Sequence, residues 1–200
     1  MAPRDFTPDE TRRSRIKAGL LFAIAIAPLI AATTMYYTGW GIPSSTTNNG
    51  EFVGSGEGIK GMGLEEAGGS AFADRFLPDN EDAKWWIVVT ADQCEQACRK
   101  WLDVSRSVHR RLHRDADRVR RAFASGDGTV PDSGAHPRIL TLNGPDGDNP
   151  FSGKARKDER DGTVFVVDPM GNLVLRYDSR HTGTDLLDDV EHLLDSSPLG

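Results

Sequence analysis

Cys94 and Cys98 are the only cysteines among 200 residues, and they follow the apolar run Trp85-Trp86-Ile87-Val88-Val89. If a helix begins near Gln93, the pair lies one turn apart on one face, with Cα atoms about 6 Å apart and within reach of a disulfide. The same geometry lets two thiolates clasp one Cu(I) or Zn ion. A thiol at a helix start is also acidified by the unpaired backbone N–H groups and the dipole. The two residues are therefore candidates for thiol–disulfide exchange, with Cys94 attacking and Cys98 resolving, and for soft-metal ligation. A plain structural staple is the third reading. It is weakened because a bridge across three residues constrains the unfolded chain little.

Composition narrows the field. Twenty-four Lys and Arg against thirty Asp and Glu leave a net charge of −6, which gives a nucleic-acid role no electrostatic support. No phosphate-loop, Gly-x-Ser-x-Gly or His-Glu-x-x-His motif is present.

The elements that must position the cysteines begin with an N-terminal anchor. Arg4, Arg12, Arg13, Arg15 and Lys17 precede an apolar stretch closed by Tyr36, Tyr37 and Trp40, which reads as one membrane span with an interfacial aromatic belt. The positive flank predicts a cytoplasmic tail at 1–17, a transmembrane anchor at 18–38 and everything beyond exported. That places the protein in the inner (cytoplasmic) membrane with its C-terminal domain in the periplasm. A cleaved signal peptide ending near Ala31-Ala32 is the alternative. The Gly-, Ser-, Thr- and Asn-rich residues 39–71 read as a flexible linker, and 72–200 as one domain.

Within the domain, Trp85–Thr90 reads as a strand buried on both faces. Residues 93–113 carry an apolar stripe at Ala97, Trp101, Val104, Val108 and Leu112, against a basic side that includes Arg106 and Arg110. That basic side reads as a solvated face or as a dock for anionic headgroups or an acidic partner. Ala116–Ala124 fits helix or strand. Arg138–Leu142 reads as a short strand, and Gly144–Gly162 as a polar loop with no core face. Thr163–Val167, the turn Asp168–Asn172 and Leu173–Tyr177 form a β-hairpin. Thr184 is the predicted cap of a last helix through Leu194. The predicted fold is α/β, a thioredoxin-like mixed sheet flanked by helices.

The anchor, the Cys-x-x-x-Cys after an apolar strand and the run Val-Phe-Val-Val-Asp-Pro-Met-Gly-Asn-Leu-Val-Leu-Arg-Tyr at 164–177 resemble the Sco/SenC family of cytochrome oxidase assembly proteins. The likeness is closer to a divergent branch found with bacterial cytochrome oxidase genes. Its motifs are Cys94–Cys98, Asp117-Arg118-Val119 and Asp168–Asn172, and the likeness covers about residues 80–195. The resemblance implies a thioredoxin fold, a strand at Arg118–Ala124 and an acidic residue near Asp127. It also implies copper held by both cysteines and a histidine from the loop before the hairpin.

There the sequence departs. The matching position is near Arg160, and no histidine lies between Pro137 and Thr163. His181, in the loop after the hairpin, is the candidate third ligand beside Cys94 and Cys98, with His136 a weaker one. His109 and His113 read as surface residues. Three functions follow. The first is a membrane-anchored thiol or copper protein serving the copper-binding subunit of cytochrome oxidase. The others are a general exported oxidoreductase and a non-catalytic scaffold with an inert disulfide.

Overall fold

The computed structural model describes residues 8–38, 47–54, 56, 58–76, 82–126, 128–129, 131–132, 134–156 and 162–197. Trp40, Asp127 and Arg160 fall outside them. The chain divides into two units, Met1–Thr46 and Thr47–Gly200. The first contains one helix, α1 (Pro8–Thr38), whose stretch Arg15–Thr38 is long and apolar enough to cross a membrane. Its Leu20, Phe22, Ile24 and Leu29 are exposed, as lipid-facing side chains must be. The hydroxyls of Thr33, Thr34 and Thr38 donate to the carbonyls of Leu29, Ile30 and Thr34. These bonds leave none of the three hydroxyls unpaired in hydrocarbon. The helix also takes in residues 8–17, which the sequence reading assigned to a tail.

The second unit is built on a seven-stranded sheet. Its strands are β1 (Glu51–Phe52), β2 (Glu65–Glu66), β3 (Trp85–Ala91), β4 (Val119–Ser125), β5 (Leu140–Asn143), β6 (Thr163–Val167) and β7 (Leu173–Tyr177). Their order is β1-β7-β6-β3-β4-β5-β2. β3, β4 and β5 run parallel, and β6, β7 and the two edge strands pair antiparallel. The helix α2 (Gln96–Arg111) makes the crossover from β3 to β4, and α3 (Gly183–Ser196) follows the hairpin. The mixed sheet with flanking helices is the thioredoxin-like fold expected. Residues 119–125 are strand, as the family resemblance implied.

Strand alternation divides the core. Ile87, Val89, Phe123, Val164, Val166 and Leu175 pack on one face beneath Trp101, Leu102 and Val108 of α2 and Leu186 and Val190 of α3. Trp86, Val88, Phe165 and Val167 face the other side, where Ile59, Leu64, Phe72, Phe76 and Phe151 cover them. This second layer changes two expectations. Part of the predicted linker, 39–71, is folded: β1 and β2 close the two sheet edges, and Ile59 and Leu64 are buried. The loop 144–162 also has a core face, since Phe151 is fully buried and stacks on Phe165 with ring centroids 5.3 Å apart. Isolated apolar residues in aperiodic sequence carry no pattern, yet each fills a gap over the open sheet face.

Family-motif residues at the hairpin and before β4 have structural roles. Asp168 Oδ1 accepts from the amides of Met170 and Asn172 at 2.9 and 2.8 Å. Gly171 closes the turn at φ 89°, a value that favours glycine. The Arg118 guanidinium donates to the carbonyls of Leu194 and Ser197 at 3.1 and 2.7 Å, satisfying acceptors left open at the end of α3. The cap of α3 is Thr182 rather than Thr184, in a capping box with Asp185.

Two clusters hold the incoming chain. Buried Asp189 of α3 accepts from the Asn49 and Gly50 amides at 2.9 and 2.8 Å and from the Tyr177 hydroxyl at 2.8 Å. Burial and this carboxylate push the Tyr177 phenol far up. Glu51 of β1 meets Arg176, Arg180 and Arg156. Hydrogen bonds from Arg176 and Arg180 lower its carboxyl to about 2.

Candidate functional site

Seven buried residues of β3 fix the floor beneath the cysteines. The chain turns at Asp92 and Gln93, and α2 starts at Gln96 with Glu95 as its N-cap. Cys94 therefore sits just ahead of the helix, and only Cys98 is inside it. The helix begins three residues later than expected. The sulfurs are joined in a disulfide, with Cα atoms 5.1 Å apart. Cys98 is fully buried in the helix-side core, while Cys94 packs against that core and is partly exposed. Cys94 directly precedes the N-cap Glu95, and a helix start is where unbonded amides and the dipole stabilise a thiolate.

The β6 end of the hairpin comes up against this turn. A Cβ on Gly162 would stand 2.8 Å from the Ala97 carbonyl carbon and 2.9 Å from the Cys98 amide nitrogen. Only glycine allows the two backbones to approach so closely. Sequence reasoning missed this residue. A glycine before a strand reads as ordinary loop, and its neighbour in space is remote in the chain.

A polar network braces the other side. Asn149 accepts from the Thr90 hydroxyl at 2.9 Å and the Phe151 amide at 3.1 Å, and donates to Asp92 at 3.0 Å. The Ser152 hydroxyl also donates to Asp92. Asp92 is two residues from Cys94, so this network anchors the approach to the disulfide. The only local signal was a polar cluster in a loop.

His181 and His109 are engaged elsewhere. His181 has its Nδ1 3.0 Å from the Asp178 carboxylate and 3.1 Å from the Asp178 amide, with its ring edge-on to Tyr177. Burial of Asp178 opposes ionisation, yet hydrogen bonds from Arg180 and the charges of Arg180 and His181 bring its carboxyl down to about 2. Buried His136 lies 3.8 Å from Asp103 on α2. His109 is half-buried rather than a surface residue. Its Nε2 is 3.0 Å from the Val119 carbonyl, and burial lowers its pKa. Among the described residues, no three His, Cys, Asp or Glu side chains gather as a metal site. The two cysteines are thus a copper-type donor pair without a described third ligand, and the donor set does not complete a site.

Residues 85–197 match the family described as transmembrane-like, thioredoxin-like, C-terminal domain, and residues 8–39 match its transmembrane-like, N-terminal domain. No curated protein matches the chain. Among solved structures, the chain is similar to yeast Sco1, with 18% identity, 70% of this chain and 95% of that one covered, and a TM-score of 0.52. Copper-bound yeast Sco1 gives 18%, 76%, 96% and 0.51. Arabidopsis thaliana ScoI with copper bound gives 17%, 67%, 96% and 0.51. At these identities the likeness establishes the fold, and the fold is that of the Sco proteins, as the sequence resemblance anticipated.

Proposed function

Because the chain belongs to the transmembrane-like, thioredoxin-like family, we propose that it is a single-span thiol–disulfide oxidoreductase serving cytochrome oxidase assembly. The observation that supports this is the asymmetry of the pair: Cys94 reaches the surface ahead of α2, and Cys98 is enclosed. Exchange chemistry needs an accessible sulfur that bonds the partner and a sheltered one that resolves the bond.

In the reduced protein the Cys94 thiolate attacks one sulfur of a partner disulfide. The partner's S–S bond breaks as the Cys94–partner bond forms, and the departing thiolate takes a proton from water. Cys98 then attacks Cys94 Sγ, closing the Cys94–Cys98 disulfide and releasing the second partner thiol. Two electrons have moved to the partner, and an exported dithiol reductant restores the pair. The Sco likeness points to the copper-binding subunit of cytochrome oxidase as that partner. The basic residues Arg12, Arg13, Arg15 and Lys17, at the N-terminal end of the apolar stretch of α1, favour the domain on the periplasmic side of the inner membrane.

Copper delivery is the second branch, because Sco1 and ScoI structures of the same fold hold copper. It would use Cys94 and Cys98, with His181 as third ligand only after release from Asp178. Anaerobic Cu(I) titration of the reduced full chain against a competing chelator separates the branches. Binding lost in both Cys→Ala variants and in His181→Ala favours delivery, and no binding beyond the chelator background favours exchange.

The test of exchange is trapping. Cys98→Ser should accumulate a mixed disulfide with the oxidase subunit, and Cys94→Ser should not. Unchanged oxidase activity in cells carrying either variant would reject the reading. So would a reduction potential below about −300 mV, which marks a structural staple.

A further inference from the structure

Away from the cysteines, α2, β4 and the turn at Pro137-Arg138 enclose a cleft of about 550 Å³. Five arginines line it, Arg106, Arg110, Arg120, Arg121 and Arg138, against one carboxylate, Asp117. Among the described residues none of the five takes part in an ion pair. Arg121 is the telling member, because it is only 6% exposed and lies in the middle of β4. One of its terminal nitrogens donates to the Pro137 carbonyl at 2.9 Å. The other is buried with no hydrogen-bond partner. A buried cation without a counter-charge is costly, and a protein core ordinarily pairs it. Burial lowers the Arg121 pKa, and the charges of Arg106 and Arg138 lower it further. Arg138 also holds a left-handed backbone, φ 61°, which an arginine adopts only under constraint.

We infer that this cleft is a binding site for a phosphate-bearing anion, held by the guanidinium groups of Arg106, Arg120, Arg121 and Arg138. Guanidinium forks match phosphate oxygens in pairs, and a dianion supplies the charge that Arg121 lacks. The ligand is a soluble phosphate or the headgroup of a phosphomonoester lipid. The cysteines take no part in the site, so it stands or falls independently of the exchange chemistry.

The experiment uses the full chain in nanodiscs of phosphatidylcholine, with thermal unfolding followed at constant ionic strength. Phosphate at one hundred times its Kd should raise Tm by roughly 5–10 °C relative to chloride. Arg121→Met should keep or raise the unliganded Tm and abolish the phosphate shift. Arg138→Gly relieves the left-handed residue and should also weaken the shift, which provides a second variant if Arg121→Met folds poorly. A shift with free phosphate in neutral discs identifies a soluble ligand. A shift seen only when phosphatidic acid replaces part of the lipid, and lost in both variants, identifies the headgroup. No shift in either arm, or the same shift in wild type and both variants, overturns the site.

Discussion

Gly162 lies directly against the backbone of Cys98, with its α-carbon so placed that a methyl group would meet that amide at 2.9 Å. The contact joins the start of β6 to the first turn of α2, and backbone on both sides leaves little room to yield. Gly162→Ala should therefore destabilise the domain by about 1–3 kcal/mol. Urea unfolding of the oxidised and reduced protein should show the loss in both forms. An unchanged midpoint would mean that the loop withdraws freely from the disulfide.

Asn149 joins Thr90, Asp92 and the Phe151 amide beneath the approach to Cys94. Asn149→Ala takes the acceptor away from the buried Thr90 hydroxyl and the Phe151 amide, at about 1–3 kcal/mol for each group that water cannot reach. Hydrogen exchange should show early loss of protection at the Phe151 amide. The reduced variant should also be alkylated faster at Cys94, because the turn at Asp92 loses its brace.

Asp189→Ala removes one carboxylate from four donors, the backbone amides of Asn49 and Gly50, the Asn49 side-chain amide and the Tyr177 hydroxyl. A loss of about 3 kcal/mol or more is expected, since one substitution strands several buried groups. Limited proteolysis should cut first near residues 47–53. Equal protease resistance in variant and wild type would show that strand pairing and the Glu51 ion pairs hold β1 without Asp189.

Acid should loosen the same region within a defined window. Glu51 and Asp178 titrate at about 2 in the folded domain, below their ordinary 4.5 and 3.8. Their depressed values mean that the unfolded chain takes up protons first as pH falls. Their contribution is complete above pH about 4.5, declines from there to pH about 2, and is lost below it. A Tm–pH profile should fall across that interval, and Glu51→Gln should flatten the fall.

Legibility followed the range of each interaction. The hairpin Thr163–Val167 and Leu173–Tyr177 was read to the residue, because alternation and the Asp-Pro-Met-Gly-Asn turn are local signals. β3 and the cysteine pair were visible for the same reason. β1 and β2 were invisible, since two-residue strands have no period and their places are set by distant edges. Leu102 completes the buried face of α2 beside Trp101 but lay outside the predicted stripe. Arg121 was the hardest to see. A charge inside an apolar run reads as the solvent side of a strand, yet alternation puts it on the helix-covered face with Val119 and Phe123.

The clamp at Asp189 has a mechanical meaning. Force applied through the preceding chain enters the domain at Asn49 and Gly50, and Asp189 passes it to α3 and to Tyr177 at the end of β7. Force arriving at Asn49 is therefore shared between a helix and a long strand, instead of resting on the two residue pairs that join β1 to β7.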